Sequence, residues 1–171
     1  MKFTRAHLEY ARSRVKLSKF SALMGFEVVK LSNGGAVLEV VTAEHHRQIH
    51  NVMHGGVIAA LADTAAAIAA YTVVPRGSEL VTIELKINYL VPVSGGKLIA
   101  TGTVLRAGRN FVVVECEVRR ADGALAAKSL MTFGAAAGHA MGGKAAAAKP
   151  SVPKKTQSTG GVRQKRKRPK S

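Results

Sequence analysis

The chain has 171 residues, 47% of them apolar, and a net charge of +16, enough for one ordinary core with length left over, so one domain is expected. Cys116 is the only cysteine, which excludes an internal disulfide and a zinc cluster of cysteines and suits core filler in a reduced compartment. Ten Lys/Arg and no acid fall in residues 138–171, leaving +6 on residues 1–137, so the charge belongs to a tail and the body is only mildly basic.

Residues 1–20 are rich in Arg, Lys and Ser, with Glu9 as the sole acid. Two readings stand: a mitochondrial import sequence, or a surface helix with Phe3, His7, Tyr10, Ala11, Val15 and residues 17–20 on its apolar face. We take residues 1–19 as an N-terminal helical segment. No continuous apolar run follows the basic start, so no secretory signal is expected. Strands at 26–31 and 36–42 flank Ser32-Asn33-Gly34-Gly35, a turn of residues that tolerate positive φ, and form a hairpin.

From Gly56 to Tyr71 the chain is apolar almost all round, with eight alanines, interrupted only by Asp63 and Thr64. Such a helix is buried or spans a membrane. A carboxylate near the middle and a weak inserter such as alanine favour burial, with small side chains suited to a sheet curling closely around the helix. Residues 79–89 then alternate, Val81, Ile83, Leu85, Ile87 and Tyr89 on one face against Thr82, Glu84, Lys86 and Asn88 on the other, as in a half-buried strand. Strands at 97–106, 111–120 and 124–133 follow, separated by the turns Ala107-Gly108-Arg109-Asn110 and Ala121-Asp122-Gly123. Helix, two strands, one long helix and four strands with hairpin-length links give an α+β fold, an antiparallel sheet packed on one central helix, over residues 20–137.

Residues 138–171 read as a disordered basic tail, because Gly, Ala, Pro, Ser and Lys offer almost nothing to offset the entropy of ordering. Its last run, Arg163 to Lys170, holds six basic residues. A solvated appendage, a nuclear-import signal and a nucleic-acid or acidic-lipid contact all fit. The expected location is cytoplasmic, with nuclear or mitochondrial as alternatives.

The chemistry concentrates at 48–70. Two glycines at a helix start let the backbone approach a bound group, while the first free amides and the positive dipole end point at it. That end suits an oxygen gaining negative charge. His54 can donate a further hydrogen bond, and Asp63 is the only ionisable group in the apolar helix. If the helix begins near Gly55, Asp63 lies eight residues on, about 12 Å along the axis. Either the two ends do unrelated jobs, or a second copy brings its Asp63 to the Gly55 end, which makes an obligate dimer with two equal sites.

His54-Gly55-Gly56, Leu61 and Asp63 in HGGVIAALAD, the strand TIELKINYLVPV, Gly95-Gly96 and Arg106-Ala107-Gly108-Arg109 resemble the hotdog-fold acyl-CoA thioesterases of the phenylacetate-degradation and 4-hydroxybenzoyl-CoA thioesterase branch, over about residues 20–134. The resemblance implies a hotdog fold, homodimers usually paired into tetramers, and hydrolysis of acyl-CoA without a metal or separate cofactor, coenzyme A being part of the substrate. It implies that the Gly55 amide polarises the thioester carbonyl, that His54 supports the carbonyl or the leaving sulfur, and that Asp63 of the facing protomer is nucleophile or general base. Gln48 matches a side-chain amide of the site and Thr82 a hydroxyl that orients water. Many members carry glycine three residues before the histidine, where this chain has Asn51, itself able to take the amide role. Gly56 joins the substrate-binding set, and Arg106 and Arg109 offer guanidinium forks for the coenzyme A phosphates.

Competing constellations are weaker. His46, His50 and His54 are four apart, which on a helix would make a single-face metal site, but no apolar stripe accompanies them and we assign no metal; His45 and His46 read as surface loop residues. No Gly-x-Ser-x-Gly elbow occurs. The leading reading is an acyl-CoA thioesterase. The alternative is a non-catalytic, acyl-CoA-binding hotdog dimer whose basic tail contacts nucleic acid.

Overall fold

The computed structural model describes residues 4–136; the expected basic tail lies outside them. The first helix, α1 (Arg5–Leu17), buries His7, Ala11 and Val15 at four-residue spacing. Ser18 ends it: its backbone is extended and its side chain accepts the Ser21 N–H that opens α2 (Lys19–Leu23). The apolar face expected to run on to Phe20 therefore stops short, and Leu17 and Phe20 are 74% and 51% exposed.

β1 (Glu27–Ser32) and β2 (Gly35–Val41) form the expected hairpin, with Gly34 at φ +74 in the turn. A short 3-10 helix at Glu44–His46 leads through a loop to α3 (Gly55–Tyr71), followed by β3 (Leu80–Tyr89), β4 (Lys97–Ala107), β5 (Phe111–Arg120) and β6 (Leu125–Ala135). One antiparallel sheet results, in the order β1-β2-β4-β5-β6-β3. α3 packs against β2, β4, β5, β6 and β3, and α1 packs on α3. This is the α+β hotdog arrangement of a sheet around one long helix. Among the described residues no helix is long and apolar enough to cross a membrane.

Alanine is what lets the helix sit so close. Ala62, Ala65, Ala66 and Ala69 are fully buried, and at Gly102 on β4 an added Cβ would lie 2.7 Å from the Ala65 carbonyl oxygen. Glycine in mid-strand marks that backbone approach. Around it Leu38, Leu98, Val114, Met131 and Phe133 complete the core with Cys116, whose thiol burial pushes up to about 12.

β3 departs from the simple alternation. Its pairing with β6 shifts register between Thr82 and Glu84, so Ile83 is an extra residue. Thr82 stands opposite buried Phe133, whereas Leu85, Ile87 and Tyr89 stand opposite Met131, Ser129 and Ala127. The bulge thus moves Thr82 onto the helix-facing side with Leu85, Ile87 and Tyr89, and sends Val81 and Ile83 to the outer face. A period of two cannot foresee that slip.

Candidate active site

His54 is the N-cap of α3, extended in backbone, and its Nδ1 accepts the Gly56 N–H at 2.8 Å. That bond places the proton of the neutral ring on Nε2, which is left as an outward donor. The Gly55 N–H has no acceptor among the described residues, as expected of the first amide of a helix. So the two glycines divide the work. Gly56 is already satisfied by the cap, and Gly55 alone offers a free amide.

A side chain at either position would crowd a neighbouring ring. A Cβ on Gly56 would lie 2.9 Å from His54 Nδ1, and one on Gly55 would lie 3.2 Å from Tyr89 Cζ. Tyr89 lies over Gly55 and donates from its hydroxyl to the Gly55 carbonyl at 2.9 Å. The Gly55–Gly56 peptide is then held at both ends, by Tyr89 on its carbonyl and His54 on its N–H. Sequence reasoning missed Tyr89; its signal was a polar-tipped aromatic at the end of an inward-facing series on β3. A cavity of about 290 Å³ opens beside this end, lined by Met53, Gly55, Ile58, Tyr89 and the 90–93 segment.

The loop before α3 is pinned by Arg47, whose Nη1 donates to the Asn51 and Ser94 carbonyls at 2.7 and 2.8 Å. Asn51 has φ +60, a left-handed conformation that asparagine tolerates better than most residues. The substitution of Asn51 for the family's glycine therefore keeps the turn. Gln48 Oε1 accepts the His50 N–H at 3.1 Å, leaving its amide NH₂ to donate. His46 is buried rather than on the surface, its Nδ1 accepting the Ala43 N–H at 3.1 Å. Burial, then the neighbouring His45, lowers its pKa. His46, His50 and His54 occupy a 3-10 helix, a loop and a cap, so they share no helix face; among the described residues no three metal-ligating side chains cluster.

Asp63 lies two turns along α3. Burial raises its pKa, partly offset by Thr82, whose Oγ1 donates to Asp63 Oδ1 at 2.8 Å. The β3 bulge is what aims that hydroxyl at the helix. One chain thus contains two separate clusters: His54, Gly55 and Tyr89 at the end of β3, and Asp63 with Thr82 at its start. Arg106 and Arg109 join neither. Arg106 pairs across from Val113 at the Thr82 end of the sheet, Arg109 sits exposed in the β4–β5 turn, and neither makes an ion pair among the described residues.

A free helix-terminal amide polarises a carbonyl oxygen, and a partly desolvated carboxylate activates water or attacks directly. Comparison with known proteins bears on the family. Residues 50–127 match the model of the thioesterase superfamily. A protein of Saccharolobus solfataricus that carries an inferred esterase name is 37% identical over 115 residues, 67% of this chain and 81% of that one. The 1,4-dihydroxy-2-naphthoyl-CoA hydrolase of Listeria monocytogenes is 28% identical over 95 residues, 56% of this chain and 77% of its own. In structure, the PaaI protein from the E. coli phenylacetic acid degradation operon superposes with a TM-score of 0.74 at 22% identity, covering 81% of this chain and 99% of that one. At that identity it bears on the fold alone.

Proposed function

This chain belongs to the thioesterase superfamily, and on that premise we propose that it hydrolyses acyl-CoA to a free acid and coenzyme A at two sites shared across a homodimer. The observation that carries the reading is a free amide at the head of α3 with a partly buried carboxylate two turns along the same helix. In this reading the thioester carbonyl oxygen accepts from the Gly55 N–H, where the helix dipole favours developing negative charge. The His54 Nε2–H supports the same oxygen or the departing sulfur, and the Gln48 amide, or that of Asn51, borders the group. As general base, Asp63 takes the proton of an attacking water whose oxygen bonds the carbonyl carbon, the C–S bond breaks, and the leaving thiolate takes that proton from Asp63. As nucleophile, Asp63 bonds the carbonyl carbon and expels the thiolate, and a water then hydrolyses the mixed anhydride to the free acid, one of its protons going to the thiolate. Thr82 holds the Asp63 carboxylate in place for either role.

The separation within one chain is the argument for a dimer. Gly55 and Asp63 are the first and ninth residues of α3, about 12 Å apart along the axis. β3 is an edge strand of ten residues, paired on one side only, and such an edge is a template for a second copy. Antiparallel pairing of two β3 strands about a two-fold axis sets the Thr82 end of one beside the Tyr89 end of the other. Each site then takes its amide from one protomer and its carboxylate from the other. The name of the Listeria relative supports coenzyme A as the carrier, and the unpaired Arg106 and Arg109 are the groups suited to its phosphates.

A panel of straight-chain and aryl acyl-CoAs tests this by release of free thiol. Wild-type protein is expected to hydrolyse part of the panel, and Asp63→Ala to lose about 100-fold or more. No turnover across the panel, or a variant at full rate, sinks the reading. Binding without turnover would instead favour the acyl-CoA-binding alternative.

A further inference from the structure

We propose that the groove between α1–α2 and the outer side of α3 is the acyl chamber, and that Arg14 closes its far end, limiting the substrate to an apolar group of roughly ten carbons or a single ring. The inference rests on the hydrolase reading and adds the acyl class. Ala60, Asp63, Thr64, Ala67, Ile68 and Tyr71 line a cavity of about 330 Å³. Their spacing of three and one in turn makes them one stripe along the helix. Val15, Ser18 and Phe20 form the opposite wall. The sheet takes the other side of the helix, through the fully buried Ala62, Ala65, Ala66 and Ala69. The cavity therefore begins at the carboxylate and runs along α3.

Among the described residues most of its polar groups are engaged within the chain, the Ser21 hydroxyl excepted. Thr64 Oγ1 donates to the Ala60 carbonyl at 2.8 Å, and the Ser18 hydroxyl oxygen accepts the Ser21 N–H at 3.1 Å. The single cation, Arg14, forms an ion pair with Glu79 and lies 5.2 Å from the Tyr71 ring centre and 5.7 Å from that of Tyr10. Burying a charged or strongly polar acyl group here would leave it unpaired, at high cost. The chamber suits hydrocarbon.

The far end is built to stay shut. Tyr10 and Tyr71 meet edge-to-face at 5.8 Å, Tyr10 donates to the Ser78 carbonyl at 2.8 Å, and Tyr71 Oη accepts the Leu80 N–H at 3.1 Å. Asp63 and Tyr71 stand eight residues apart, about 12 Å along the helix. An extended chain of 1.5 Å C–C bonds advances about 1.25 Å per carbon, so about ten carbons fill that length.

The test measures kcat/KM for the full-length chain with acyl-CoAs from acetyl to hexadecanoyl, and with benzoyl-CoA. Wild type is expected to peak near octanoyl to decanoyl and to fall about tenfold or more by hexadecanoyl. Ala67→Leu, a half-exposed position on the groove, should lower the octanoyl-to-acetyl ratio about tenfold. Arg14→Ala should raise the hexadecanoyl-to-octanoyl ratio by a similar factor. Wild-type turnover with unaltered ratios in Ala67→Leu overturns the chamber and leaves the hydrolase reading standing. A hexadecanoyl rate equal to octanoyl in wild type overturns the length limit. No turnover of any acyl-CoA overturns both.

Discussion

The division of the site between protomers can be tested by complementation. Asp63→Asn keeps an acceptor for Thr82 Oγ1, which lies 2.8 Å from Oδ1, but removes the charge. Gly55→Val puts a Cβ 3.2 Å from Tyr89 Cζ and branches beside the free amide. Loss of the carboxylate is expected to cost about 10²- to 10⁴-fold, roughly 3 to 5.5 kcal/mol in activation free energy. Valine keeps its N–H, so Gly55→Val acts by crowding the thioester carbonyl away from the amide, and losing that hydrogen bond is expected to cost about 10²- to 10³-fold; each variant alone then retains about 1% of the rate or less. Because α3 holds Gly55 and Asp63 eight residues apart, about 12 Å by helix rise, a mixed dimer contains one intact site and one doubly damaged site. Co-refolding equal amounts gives mixed dimers for about half the population, hence about a quarter of wild-type activity. Thiol release from the best acyl-CoA of the panel measures it. A mixture that stays near 1% while wild type refolded alongside recovers would refute a shared site.

Asp63 should also separate function from stability. Since burial raises its pKa above that of the unfolded chain, the native state holds the proton more tightly, and stability is lost as pH rises from the unfolded to the folded pKa. Asp63→Asn should therefore unfold at an equal or higher temperature than wild type at pH 7, with the difference vanishing at acidic pH; a clear drop would mark Asp63 as structural. By the same shift, kcat/KM should decline on the acid side with a midpoint above the usual carboxylate range. Tyr89→Phe keeps the ring over Gly55 but removes a hydrogen bond worth about 0.5–1.5 kcal/mol, so kcat should fall about two- to tenfold with KM held; an unchanged kcat would show that the hydroxyl does nothing for the Gly55–Gly56 peptide. Gly102→Ala drives a methyl to 2.7 Å from the Ala65 carbonyl oxygen, a backbone clash expected to cost about 1–3 kcal/mol, read as a lower urea midpoint at unchanged slope.

Much of the site was legible because it depends on local rules. The alanine-rich run with one carboxylate, bounded by His54-Gly55-Gly56, announces a buried helix with a usable N-terminus, and α3 begins at Gly55. Helix rise alone already made a two-protomer site one of two readings. What escaped were contacts between distant segments. Tyr89 over Gly55 joins residues 34 apart in the chain, and Thr82 on Asp63 joins residues 19 apart. His46 is buried on the short 3-10 helix, although its immediate sequence is that of a surface turn.

By itself, then, the sequence determined the order of the six strands and the long helix, the glycine pair at that helix's start and the lone carboxylate within it, since periodicity, capping and turn chemistry act within a few residues. Only the tertiary structure decided which face Thr82 occupies, which glycine keeps its amide free, and where the groove beside Asp63 ends. Each depends on an event no local pattern encodes. A one-residue bulge at Ile83 turns Thr82 inward, a cap from His54 takes the Gly56 amide, and an ion pair between α1 and the segment before β3 places Arg14 at the end of the groove.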